Sequence, residues 1–364
     1  MEGKDSITVF IKLSFDSKNR KFKNLASKSN WGFDYRINNS YESKNGVING
    51  YAHSKRIFAE SNKFVFSFNV PKPESSSAYL FVVVYEDEEE GFIQDIPLRV
   101  LDKNFYSKNA FFQPEFNIPI FNTFINRRDS ILVKTSESLE SIPVNFYKYN
   151  FQPALPPFFA TNTYDNEVRL SKDSSYVISK DSITSFKKRG VYTLGAENVF
   201  QTKVFVTDNR FPKVSKTKEL IDATIYIASD DERKRMKSSK PKARLDEFWL
   251  DLAEGDKEFA RKMIKKFYYK IEMANTYFTN YKEGWKTDQG MVYILFGMPD
   301  EVFRNDVKET WNYKRRPNIP SIRFVFDKKL SPFGDHYYQL QNSEEYTQVW
   351  YSTVELWRKG ILDR

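Results

Sequence analysis

The chain has 364 residues, 40 % of them hydrophobic and 17 % aromatic, with a net charge of +9, two histidines and no cysteine. Without cysteine there is no disulfide, thiolate chemistry or cysteine-ligated zinc, and with only His53 and His336 a histidine-rich metal site within one chain is excluded. The 33 Phe and 22 Tyr supply ample apolar area for folding, at roughly 25 cal/mol for each Å² buried, and the length suits two or three domains, of which three is our reading.

Residues 6–15 alternate, with Ile7, Val9, Ile11, Leu13 and Phe15 on one face, and period two predicts a strand. Lys63 to Val70 alternates too and ends at Pro71. A Pro/Ser-rich turn leads to the strand Ala78 to Tyr85, an acidic tip (Glu86 to Glu90) and a further strand from Gly91 to Leu101, where Pro97 signals an edge or bulge. Short strands joined by turns, with no helical period over 100 residues, predict a β-sandwich over 1–101.

A second all-β sandwich is expected over 102–207, from strands at Ser130 to Lys134, Ile142 to Tyr149, Gly190 to Leu194 and Lys203 to Val206. Both sandwiches are expected to be immunoglobulin-like. The stiff loop Pro153 to Phe159 is either a docking patch or a strand-crossing loop that packs its Phe pair, and we favour packing. Residues 208–244 read as a linker with a short helix opened by Ser229 and Glu232 at capping-box spacing. Between Arg233 and Arg244 lie seven basic residues and no acidic one, read as a solvated linker, with an anionic-lipid or acidic-partner contact as the alternative.

From 245 the period changes to 3.6. Leu245, Phe248, Trp249 and Leu252 share a helix face that Gly255 ends, and Asp256 then caps a long helix in which Phe259, Met263, Ile264, Phe267, Ile271, Ala274 and Phe278 recur. The apolar run Met291 to Phe296 lies between two Gly-containing turns and predicts a buried strand. Asp300 is expected to cap a helical turn through Glu301 to Phe303. Strands at Glu309 to Tyr313, Ser321 to Lys328 and His336 to Gln341 precede a last amphipathic helix, Ser343 to Lys359. Residues 245–364 therefore predict an α+β domain, a small antiparallel sheet covered by helices on one face.

Gly284-Trp285-Lys286-Thr287-Asp288 is the most informative stretch. Gly284 and Gly290 suit backbone conformations or approaches closed to other residues, and Thr287 and Asp288 can accept backbone N–H bonds that order the turn. Five of the six tryptophans (Trp249, Trp285, Trp311, Trp350 and Trp357) fall in this third of the chain, either as core or as a partner-binding cleft. Trp285, Thr287, Asp288, Asp300 and Trp311 are the candidate binding residues. Asp288 and Asp300 invite an acid/base hypothesis, but six strand residues at ~3.3 Å each would place them ~20 Å apart. Phosphate loops, the Gly-x-Ser-x-Gly elbow and His-Glu-x-x-His are absent. No catalytic residue, metal or cofactor is expected.

The five signature letters, Phe248-Trp249 ahead of a long helix, and the Gly297-Met298-Pro299-Asp300 turn together resemble the bacterial GWxTD-domain family, over roughly 220–364. The resemblance implies an exported or lipid-anchored protein of the periplasm or outer membrane, with β-rich domains ahead of the signature domain. It supplies no catalytic residues. The expected function is a non-enzymatic scaffold that binds another envelope protein, within a secretion or surface assembly. The alternatives are a glycan- or peptide-binding module stacking ligand on Trp285, Tyr313 and the Tyr337-Tyr338 pair, or a hydrolase using Asp288, Asp300, Glu301 or His336. The positive charge is spread evenly (+4 over 1–207, +5 over 208–364), and nucleic acid is not an expected partner. No run approaches the ~20 apolar residues that span a bilayer, and membrane attachment is expected only through an anchor ahead of Met1, because strand alternation begins by Ile7.

Overall fold

In the computed structural model the described residues are 6–14, 30–42, 48–60, 63–73, 78–86, 89–98, 109–135, 140–148, 151–158, 171–195, 202–317, 319–331, 333 and 336–361. Phe15, Leu101, the expected boundary at 101–102 and Phe159 lie outside them. The chain is β-rich and multidomain, with mostly antiparallel sheets first and helices concentrated in the C-terminal part.

Strands β1 (Ser6–Ser14), β2 (Asn30–Asn38), β3 (Ile48–Glu60), β4 (Lys63–Pro71), β5 (Ala78–Glu86) and β6 (Glu89–Leu98) form one antiparallel sheet in the order β1-β4-β3-β2-β5-β6. Alternation decides its core: Val9, Ile11 and Leu13 meet Phe64, Phe66, Phe68 and Val70, and Phe33, Ile37, Leu80 and Val82 complete the cluster. From the other face of β1, Phe10 meets Phe112 edge-on, with ring centroids 6.0 Å apart, which ties this sheet to the next unit.

That unit comprises β7 (Asn109–Gln113), β8 (Ile118–Pro119), β9 (Phe124–Asn126), β10 (Ile131–Thr135), β11 (Ser141–Tyr147), β12 (Ser174–Ser179), β13 (Ile183–Thr184), β14 (Gly190–Leu194) and β15 (Thr202–Thr207). They make two sheets, β13-β10-β7-β8 and β12-β11-β14-β15-β9, with β15 and β9 parallel. Ile131 and Val133 of the first sheet share one core with Val144, Phe146, Leu194, Val204 and Val206 of the second.

Helices α1 (Thr217–Ala223), α2 (Asp230–Met236), α3 (Pro241–Leu252), α4 (Lys257–Phe278), α5 (Asp288–Phe296) and α6 (Tyr346–Arg358) surround an antiparallel sheet of β16 (Glu301–Arg304), β17 (Lys308–Tyr313), β18 (Ile322–Leu330) and β19 (His336–Leu340). Asp256 caps α4 as expected, accepting from Glu258 and Phe259 N–H at 2.9 and 3.0 Å. Ser229 and Glu232 form the expected capping box on α2. The segment 208–244, expected as a linker, also holds α1 and the start of α3, and its Ile221, Ala223, Tyr226 and Met236 join the same core as Phe267 and Trp350. The basic side chains Lys234, Arg235, Lys237, Lys240 and Lys242 are exposed.

Two expectations fail. Residues 291–296 are not a strand but the body of α5, and every residue from Gly290 to Phe296 is buried. A run that is apolar on all sides carries no period that distinguishes strand from helix when it passes through the middle of a core. Asp300 caps no helical turn: Glu301 to Phe303 are in β16, and the Asp300 carboxylate accepts the Lys314 N–H at 2.7 Å, across the β16–β17 pair.

Candidate binding site at the signature joint

The signature occupies a 3-10 turn, Gly284–Lys286, between α4 and α5, and all five of its residues are buried. The approach to α4 is closer than any side chain permits. A Cβ on Gly284 would lie 2.0 Å from the Ala274 carbonyl oxygen, and one on Gly290 would lie 1.8 Å from that of Gly284. Thr287 is the N-cap of α5: its Oγ1 accepts the Gly290 N–H at 2.9 Å and donates to the Gly284 carbonyl at 2.7 Å. Asp288, the first residue of α5, accepts the Leu340 N–H at 3.2 Å and so joins the helix to β19.

Asn275, fully buried on the apolar stripe of α4, holds the turn from behind. Its Oδ1 accepts the Trp285 N–H at 3.1 Å and its Nδ2 donates to the Pro212 carbonyl at 2.8 Å. Tyr226 donates its hydroxyl to the Trp285 carbonyl at 2.9 Å. On the far side of the first α5 turn, Glu309 accepts from Gln289 Nε2 at 2.8 Å, Trp311 Nε1 at 2.6 Å and Arg304 Nε at 2.5 Å. With three donors, including a guanidinium, this carboxylate is satisfied at 3 % exposure.

The residues just before the signature are charged and buried. Glu283 pairs with Lys286 at 2.9 Å and with Arg189 of the second β unit. Burial pushes its carboxyl up, but the Lys286 and Arg189 charges outweigh that and leave it below the ordinary carboxylate range. Burial pulls the Lys282 ammonium below its ordinary value, a shift that the Asp288 charge opposes without cancelling.

The second β unit grips this joint from outside. Ala154 N–H donates to the Lys286 carbonyl at 2.8 Å and Ser343 N–H to the Pro157 carbonyl at 3.1 Å. Phe158 packs on Trp350 and Tyr351, so the proline-rich loop takes its packing role as a strap on the helical domain. Thr123 donates to the Thr279 carbonyl at 2.5 Å. An aromatic seam completes the junction, with Phe151 on Tyr281, Phe124 on Phe211 and Tyr281 on Tyr337.

Beside the joint opens a cleft of about 860 Å³, with Arg189, Glu283, Trp285 and Lys286 in its lining together with the segment from Asp208 to Asp222. Of the candidate residues, the fold brings Trp285, Thr287 and Asp288 together. Trp311 joins them through Glu309, while Asp300 sits beyond the other end of α5, which nine residues at 1.5 Å make ~14 Å long. Trp285 and Tyr313 are 3 % and 4 % exposed, so neither offers an open ring face. The sequence reading missed Asn275, Lys282, Glu283, Arg189 and Glu309. Of these only Asn275 carried a signal, a polar residue in step with the apolar stripe of α4.

The GWxTD domain family matches residues 190–359. No curated protein and no solved structure matches the chain. The match starts inside the second β unit, at the first residue of β14, and takes in β15, all six helices and the last sheet. Residues 190–359, with the signature as the buried joint between α4 and α5, are the GWxTD domain of this chain.

Proposed function

We propose that this protein is a non-enzymatic interaction scaffold of the bacterial cell envelope, in which the β units act as spacer modules, the second of them immunoglobulin-like, and the C-terminal unit binds another envelope protein. One observation carries the reading: every signature residue is buried, and the Thr287 and Asp288 side chains are engaged in capping α5 and tying it to β19. Residues spent on a joint build a shaped support, and the contact surface is then the cleft beside it. Two sheets around one core in the second unit favour the sandwich description. The buried ring of Trp285 weighs against a glycan-stacking platform. A hydrolase would need to bring Asp288 and Asp300 to one bond from opposite ends of α5.

The test is chemical cross-linking of the full chain in detergent-solubilised envelopes, read by mass spectrometry, alongside a hydrolase screen. A stoichiometric protein partner is expected. Turnover that Asp288→Asn removes while the thermal melt stays unchanged would overturn the proposal in favour of hydrolysis.

A further inference from the structure

The cleft beside the joint carries more cations than its own carboxylates use. Asp208 is held by Arg127 at 3.1 Å and by Lys216, Glu219 by Arg189 at 2.9 Å, Asp222 by Lys237 at 2.7 Å, and Glu283 by Arg189 and Lys286. Every carboxylate of the lining is therefore neutralised from within the protein. Lys148, Arg210, Lys213 and Lys218 also line the cleft. All four are exposed, and none of their side-chain cations has a carboxylate partner among the described residues.

They come from three separate elements: Lys148 follows β11, Arg210 and Lys213 lie on the loop after β15, and Lys218 is in α1. The Asp208–Lys216 ion pair joins the two ends of the loop that carries Arg210 and Lys213. Four spare positive charges around a cavity of about 860 Å³ make a site far larger than a single phosphate or carboxylate needs, within the roughly 300–1,000 Å³ typical of ligand clefts. The same lining includes the part-buried Phe211 and Val214. An inorganic polyanion has nothing to place on them, whereas a peptide carries acidic and apolar side chains together.

We propose that this cleft is a docking site for an extended, carboxylate-rich peptide segment of a protein partner, with Lys148, Arg210, Lys213 and Lys218 receiving its acidic side chains and Phe211 and Val214 an apolar one. This deepens the interaction-scaffold reading and rests on it. Attraction among exposed charges sets the encounter rate and falls with salt, while the apolar contact supplies a salt-insensitive remainder.

The test titrates the full chain with a short fluorescent peptide of alternating Glu and Phe and follows anisotropy. Binding is expected to weaken about tenfold in Lys213→Glu/Lys218→Glu, which leaves the melt unchanged, and to persist in Lys262→Glu/Lys265→Glu, two exposed lysines of α4 far in sequence from the cleft. An all-Glu peptide and inorganic polyphosphate are expected to bind more weakly than the Glu-Phe peptide. Equal weakening in both double variants, stronger binding of polyphosphate, or no peptide binding would each overturn the cleft assignment. If the cross-linked partner is nevertheless retained by Lys213→Glu/Lys218→Glu, the scaffold reading stands on another surface and only the cleft falls.

Discussion

The two sides of residues 283–288 differ in how their polar groups are used. Inward, Thr287 both accepts and donates, Asn275 uses both ends of its amide, and Glu309 takes three donors. Outward, at the cleft, four exposed cations have no carboxylate partner among the described residues. A conspicuous sequence motif can thus be the part of a molecule with the least left over to bind anything. On our proposal the binding capacity lies in three lysines and an arginine that no motif marks.

If this contrast is right, the inward side should be intolerant of change. Gly290→Ala is expected to cost about 3 kcal/mol or more, because its Cβ would meet the backbone oxygen of Gly284 rather than a movable side chain; urea denaturation measures it. Asp288→Ala strips the Leu340 N–H of its acceptor inside the core and should cost about 2 kcal/mol, with Asp288→Asn recovering part of it. A melt unchanged in Asp288→Ala would break the comparison.

Glu283→Gln is expected to cost about 1.5 kcal/mol at neutral pH, since a charged partner of Lys286 and Arg189 becomes neutral. The sign with pH follows from its folded carboxyl lying below the ordinary 4.5. The stabilisation is fully present above the unfolded value and is lost as pH falls through the folded one, so the curves of wild type and Glu283→Gln should converge as the solution is acidified below 4.5. Lys282 gives a slope of the same sign in the alkaline range, but from a charge that burial disfavours. Its depressed folded value means that the unfolded chain holds the extra proton, so stability should rise with pH up to about 10.5, a slope that Lys282→Met removes. Thr287→Ala removes a cap and should cost about 1 kcal/mol. Smallest of all, Lys213→Glu/Lys218→Glu on the outward side should shift stability by less than about 0.5 kcal/mol.

The strands β1 and β4 and the helices α3, α4 and α6 were legible because each leaves one face more exposed, which forces a period of two or 3.6 into the sequence, and β5 was legible as a short apolar run bounded by turns. Strands β2 and β3 escaped notice: Gly32, Gly50, Asn49 and His53 interrupt their apolar positions, and β3 shifts register at a bulge between Arg56 and Phe58. Helix α5 was illegible because nothing of it faces water beyond its first turn, although Thr287 three residues before Gly290 was a cap in plain view. At the site, the signature stood out as a unit, but Glu309, Arg189 and Tyr226 lie between 20 and 100 positions from it, and only the fold brings them together.

The parallel pairing of β15 with β9 carries a mechanical consequence. Strand β15 lies inside its sheet, between β14 and β9, and runs through the pinned 208–216 loop into α1. Tension applied to the helices that follow therefore loads that sheet along β15, across two rows of hydrogen bonds at once, instead of paying out a slack tether. A pull between the two ends of this junction would meet a stiff bracket, resisted by both neighbours of β15 together.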